Sequence, residues 1–353
     1  MSAPAAATPV DTGSPPTKPR ADDVVLLTCN DLHLTDVAPA ARLDNYVDEM
    51  FGLLDQIAQA AEKTRANAVC IAGDIFHSKD RPMGAPLLGR LVDWCKRLER
   101  NGTAVLIVPG NHDLRYNNLD TLPLQPLGVL LKAGVMRDVS TNPFYGPPPE
   151  RDWGPHYEVW GVPFPHAFDL DHWRALGRLT PLGDRRRIVL AHCFASPTGG
   201  TVYGEPELSY SDIAEACPAD VYVFGHDHSD GGVSVLDGDR PMYFVNLGAI
   251  SRGTIGHDDI TREIHLGLVR IGAQVSVSRV RLNAIPASDL FDLTTKAEQT
   301  AQAQRIDTFI ADLEATLASL DSTAPITTHL GRMQIADAVK ARMQAYITAI
   351  EHG

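Results

Sequence analysis

Val24-Val25-Leu26-Leu27-Thr28-Cys29-Asn30-Asp31-Leu32-His33 is the stretch that decides how this chain folds. Val24–Thr28 is a short, apolar, β-branched run that reads as a buried strand, and polar donor groups follow it directly. The same order recurs four more times along the chain. Ala68–Ala72 leads into Gly73-Asp74, and Ala104–Pro109 leads into Gly110-Asn111-His112-Asp113. Ile188–Leu190 leads into Ala191-His192, and Val221–Phe224 leads into Gly225-His226-Asp227-His228. Between the first strands lie helical patterns. Leu43 to Lys63 carries Leu43, Val47, Met50, Leu54, Ile57 and Ala61 at three- and four-residue steps, while Pro82 to Arg100 has Pro at its start and Asn101-Gly102 as its stop. Open α/β folds gather side chains at the carboxyl ends of their strands, so the five polar turns are predicted to converge.

Outward from this core the second half becomes strand-rich. Tyr157–Val162, Gly232–Leu236, Met242–Asn246, Glu263–Ile271 and Val275–Arg281 read as strands, with Asp237-Gly238 as a hairpin turn. Runs of β after runs of βα predict an α/β fold of two packed mixed β-sheets flanked by helices. Asn142 to Pro155 holds five prolines and reads as a surface loop. Residues 1–22, rich in Ala, Pro, Thr and Ser, read as a disordered tail, and residues 23–285 as the main domain. Residues 286–353 read as a C-terminal helical hairpin. Ile306, Phe309, Ile310, Leu313, Leu317 and Leu320 form one stripe, Ala336, Val339, Met343, Tyr346, Ile347 and Ile350 another, and Pro325 lies between them. Packing on its own chain and docking of a partner are both open readings of that hairpin.

Composition narrows the function classes. A chain of 353 residues with 44% hydrophobic and 21% charged residues is ordinary for a globular enzyme. A net charge of −13 speaks against nucleic-acid binding over the whole surface but leaves a local cationic site open. Five cysteines without a CxxC spacing fit a reducing compartment, with Cys29, Cys70 and Cys95 as core fillers. No apolar stretch approaches the ~20 residues of a membrane span, and the expected location is cytoplasmic.

The polar turns supply Asp31, His33, Asp74, Asn111, His192, His226 and His228. Together these make a hard-to-borderline donor set suited to two divalent cations, and hence to phosphoester hydrolysis. On an extended backbone Asp31 and His33 point the same way, as do His226 and His228, whereas Leu32 and Asp227 point away. Asp74 has two oxygens with which to bridge two ions, and Asn111 offers a neutral oxygen.

The series Asp31-Leu32-His33, Gly73-Asp74, Gly110-Asn111-His112-Asp113, His192 and Gly225-His226-Asp227-His228 resembles the motifs D-x-H, GD, GNH(D/E), H and GHxH of the calcineurin-like metallophosphoesterases. That resemblance implies a four-layer sandwich. It also implies one ion on Asp31, His33 and His228, a second on Asn111, His192 and His226, Asp74 bridging, and His112 as the catalytic imidazole. The implied reaction is attack on phosphorus by a hydroxide bridging the two ions. Within the superfamily the chain looks like the SbcD-type DNA repair nucleases of the meiotic-recombination family. Gly73-Asp74-Ile75-Phe76-His77, Val159-Trp160-Gly161-Val162-Pro163-Phe164 and Asn246-Leu247-Gly248-Ala249-Ile250-Ser251-Arg252 carry this likeness. It implies a DNA exo- or endonuclease of repair or recombination, with His77 as a further catalytic residue. Arg252 and Arg115 would bind substrate phosphates, beside Lys79 and Arg81. It also implies manganese as the metal, with iron or zinc as alternatives, a coiled-coil ABC-type ATPase bound through the C-terminal helices, and an open question of a homodimer. The alternatives on the same residues are a metallophosphatase or small-molecule or cyclic-nucleotide phosphodiesterase, and a non-catalytic scaffold.

Overall fold

Parallel strands whose apolar faces are both covered need helices or a second sheet on either side, and this chain uses both. The computed structural model describes residues 7–10, 23–39, 42–78, 83–146, 156–179, 185–253 and 257–293. The chain divides into two compact units, Met1–Phe291 and Asp292–Gly353. The expected helical hairpin, like Lys79, Arg81 and most of the 1–22 tail, lies outside the described residues.

The first sheet contains β2 (Val24–Cys29), β3 (Ala68–Ile71), β4 (Ala104–Ile107), β5 (Arg137–Asp138), β15 (His265–Ile271) and β16 (Val275–Arg281), in the order β16-β15-β2-β3-β4-β5. The second contains β1 (Thr8–Pro9), β6 (Phe144–Tyr145), β7 (Tyr157–Val162), β8 (Arg186–His192), β12 (Val221–Gly225), β13 (Asp230–Leu236) and β14 (Met242–Leu247), in the order β1-β13-β14-β12-β8-β7-β6. A small third sheet joins β9 (Ala195–Ser196), β10 (Gly200–Val202) and β11 (Glu205–Ser209). The two large sheets face each other across a core that includes Leu26, Cys70, Leu106, Leu190, Val223 and Val269. Helices α1 (Tyr46–Thr64) and α2 (Ala85–Arg100) cover the outer face of the first sheet through Leu54, Ile57, Leu91 and Trp94. Trp173, Tyr210 and Ile213 cover the outer face of the second. The result is the predicted pair of mixed sheets between helical layers.

Local chemistry explains the differences in boundary. α1 begins at Tyr46 rather than Leu43 because the Asn45 side chain accepts the Asp48 amide and starts the first turn there. The tail is not structureless throughout. Thr8–Pro9 pairs antiparallel with β13, which shields that sheet edge. Within the predicted 142–155 loop, Phe144–Tyr145 pairs with Val159 and Glu158 of β7. The five cysteines are all buried, Cys193 among them, and burial pushes the Cys29 thiol up to about 12.

Candidate metal centre

Register builds the site. In the parallel pairs β2–β3 and β3–β4, Cys29 lies opposite Ile71 and Ile71 opposite Ile107, so the three strands end level. Asp31, Asp74 and Asn111 therefore emerge on one edge. In the second sheet Gly225 lies opposite His192, which puts His192 beside the turn carrying His226 and His228. The carboxyl ends of both sheets meet here. His226 N–H donates to both carboxylate oxygens of Asp31, at 3.2 and 3.1 Å. Ile250 N–H donates to the Asn30 carbonyl at 3.0 Å. A Cβ on Gly73 would run into the His192 ring, so only glycine permits this approach, at a φ of 90°.

The donors are not on extended backbone as the sequence suggests. Asp31, His33, Asp74 and His226 sit at φ of 53°, 44°, 50° and 87°. Such left-handed conformations are costly for these residues and cluster at functional sites. Here the neighbouring turns hold them. Asp31 N–H donates to Gly73 O (3.1 Å), His33 N–H to Asp74 O (3.0 Å) and Leu34 N–H to Ile75 O (2.9 Å). Leu32 is fully buried and points away, and Asp227 holds its own loop through Ser229 and Asn246.

Two groups of donors result. In the first, His33 Nε2 and His228 Nε2 lie 3.0 Å apart, and each is 3.9 Å from Asp31 Oδ1. In the second, His192 Nε2 lies 3.1 Å from Asn111 Oδ1 and 3.4 Å from Asp74 Oδ2. That same Asp74 oxygen is 3.6 Å from His33 Nε2, so Asp74 Oδ2 sits between the groups while its Oδ1 accepts the His112 amide at 2.8 Å.

The chemistry of this set fits divalent ions. His192 Nδ1 lies 2.8 Å from the Ala72 carbonyl, which can only accept, so Nδ1 carries the hydrogen. In the neutral ring Nε2 is then a lone pair aimed at two oxygen acceptors, and a cation between them resolves the conflict. Burial favours neutral His192, but Asp74 and Asp31 outweigh it and raise the imidazole to about 9. Burial holds His33 well below its ordinary value despite Asp74, leaving it neutral as a ligand must be. Asp74 is also buried, yet His192, His33 and His112 keep it well below the ordinary carboxylate range. Asp31 moves the other way: burial raises it, and the like charge of Asp74 adds to that against His192 and His228.

His226 joins the site differently. Its Nε2 lies 2.8 Å from Glu205 Oε2, and its ring stands 5.0 Å from that of His192 and 4.3 Å from that of Phe194. His112 Nδ1 is bonded to the His77 carbonyl, and its ring meets His33 edge-on at 4.8 Å between centroids. This pins the proton on Nδ1 and leaves Nε2 to act. The exposed His77 ring stands 5.6 Å from that of His33, so His33, His77 and His112 form a third cluster of imidazoles. Arg115 is exposed on the short turn Arg115–Asn117 that follows.

Arg252 is a correction. It is buried, with 4% exposure, its guanidinium bonded to the Ile285 carbonyl and 3.6 Å from Glu49. It serves a buried ion network with Arg42 and Glu49, not a substrate phosphate. Sequence reasoning also missed three groups. Asp113 accepts the amides of Ile75 (3.1 Å), Phe76 (3.2 Å) and Gly110 (3.0 Å), locking the Asp74 and Asn111 turns together, and burial together with Asp74 raises it to about 7. The fourth position of Gly110-Asn111-His112-Asp113 was its signal. Glu205 and the His77 carbonyl carried none, because one sits in no motif and the other is backbone.

The profile of the calcineurin-like phosphoesterase family matches residues 24–230, a span that contains every donor named above. Among solved structures, a dimetal phosphatase from Danio rerio is similar over 74% of this chain and 99% of its own, at 13% identity and a TM-score of 0.45. A Thermus thermophilus protein is similar over 74% and 99%, at 14% identity and a TM-score of 0.44. With the family profile covering residues 24–230, more than half of the chain and all five polar turns, the chain belongs to the calcineurin-like phosphoesterases.

Proposed function

We propose that this phosphoesterase cleaves phosphodiester bonds with two divalent ions, manganese foremost, and that its substrate is DNA, as in an exo- or endonuclease of repair or recombination. One observation carries the two-ion reading: Asp74 Oδ2 lies 3.6 Å from His33 Nε2 and 3.4 Å from His192 Nε2, joining the two donor groups. Asp31, His33 and His228 would hold one ion, and Asn111, His192 and His226 the other. When bound, the pair supplies charge neutralisation at the phosphoryl oxygens and activation of water. The protein's own part is proton handling and orientation. His112, its Nδ1 held by the His77 carbonyl, presents Nε2 to the leaving oxygen and donates the proton that an alkoxide needs. The exposed His77 ring on the same side supports a chain substrate, because it offers a contact beyond the phosphate being cut.

Burial of Arg252 favours a second reading, a phosphodiesterase or phosphatase for small molecules, since it removes one of the cations expected along a DNA strand. A substrate panel separates the two. Metal-depleted protein reloaded with Mn²⁺ is expected to degrade single- or double-stranded DNA, and Asp74→Ala and His112→Ala to abolish this. Cleavage of bis(p-nitrophenyl) phosphate or nucleotide esters with DNA left intact would refute the nuclease reading and sustain the second.

A further inference from the structure

We propose that Glu205 is the positioning residue for His226, fixing its tautomer and ring orientation and so setting the affinity of the second ion site; this rests on the reading of His226 as a metal ligand. Glu205 Oε2 and His226 Nε2 lie 2.8 Å apart. A carboxylate can only accept, so Nε2 carries the hydrogen, and the lone pair of neutral His226 is confined to Nδ1. Without Glu205 both tautomers are open, and the one with hydrogen on Nδ1 cannot bind an ion through that nitrogen. Besides the His192 imidazole at 5.0 Å, three phenyl rings flank His226: Phe194 at 4.3 Å, Phe164 at 5.1 Å and Phe168 at 6.2 Å between centroids. Those rings restrict tilt but cannot choose a tautomer.

The support beneath Glu205 suits this task. It opens β11, paired to β10 through Val202. β11 in turn runs parallel to β9, with Leu208 opposite Ala195 and Ser209 opposite Ser196. Leu208 N–H also donates to the Phe194 carbonyl at 3.1 Å. The hairpin is thus fastened to the segment that directly follows His192. Carboxylate and metal-ligand histidines share one rigid frame, the arrangement by which outer carboxylates orient ligating imidazoles.

The test is Mn²⁺ titration by calorimetry on the full chain, with long-range ¹H–¹⁵N correlation of the histidine rings. In Glu205→Ala one of the two ions is expected to bind about 10–100-fold more weakly while the other keeps its affinity. His226 should show the Nε2–H form in the wild type and lose it in the variant. Glu205→Gln, whose amide oxygen still accepts, should retain more affinity than Glu205→Ala and serves as the check on folding. If His226→Ala loses one ion while Glu205→Ala binds both as the wild type does with an unchanged tautomer, the proposal fails and the ligand reading stands. If neither substitution changes binding, both fall.

Discussion

The two halves of the centre differ in how their histidines are held. His192 is fully buried, its Nδ1 committed to the Ala72 carbonyl and its Nε2 set against Asn111 and Asp74. His228 has a side chain 50% exposed and faces His33 across 3.0 Å. One half is preorganised by backbone on both sheets, whereas the other relies on a half-exposed loop side chain. On the proposed two-ion reading, this difference would let the Asn111–His192 side keep its ion and the His33–His228 side exchange one or share it with substrate. Asp74 belongs to both, and His112 stands beside the exchangeable side.

Breaking the shared element should have the largest effect. Asp74→Ala is expected to lower phosphoesterase activity by about 10²–10³-fold or more, because a charge aimed at the reaction centre is lost and both halves lose a ligand. Activity and metal content on the same sample check this, and near-normal values for either would separate Asp74 from the centre. His112→Ala comes next, with an expected loss of about 10²–10⁴-fold in kcat. Its metal content should stay normal. The loss should shrink for p-nitrophenolate, a leaving group that needs no proton, and an equal loss for good and poor leaving groups would deny His112 its acid role.

The buried half also makes a pH-dependent prediction for metal-free protein. Folded His192 titrates at about 9, against ~6.5 for an unfolded histidine. The folded state therefore binds the proton more tightly. That contribution is complete below about 6.5 and is lost as pH rises through about 9, on the order of 3 kcal/mol in all. Denaturant melts across this window should show the fall in metal-free wild type and a flatter curve in His192→Asn. A wild-type curve as flat as the variant's would remove the cation-seeking character assigned to His192. The smallest effect on catalysis is expected at Arg252. Because its guanidinium is tied to Glu49 and the Ile285 carbonyl, Arg252→Gln should lower the melting temperature and leave KM for substrate unchanged. A KM several-fold higher would return Arg252 to the substrate.

Much of this was legible in the chain, for physical reasons. Tyr157–Val162 and Val275–Arg281 form strands with the predicted ends because apolar runs bounded by polar turns leave little choice. The donors could be read because strands of one sheet end level, so a residue's place after its strand predicts its place in space. What could not be read depends on contacts distant in sequence. Arg252 looked like a phosphate binder because Glu49, on α1, gives no local sign of reaching it. Glu205 lies in a hairpin whose only cue was glycine at 199, 200 and 204. The left-handed turns at Asp31 and His33 were hidden as well, since they arise from pairing with the Gly73–Ile75 turn rather than from their own residue types.

The most direct test of the two-group centre joined by Asp74 is electron paramagnetic resonance of the Mn²⁺-loaded chain. The proposed two-ion reading predicts two ions per chain with an exchange-coupled signal in the wild type, and no coupled signal in Asp74→Ala. An uncoupled six-line spectrum in fully loaded wild type, or coupling that survives Asp74→Ala, would contradict it.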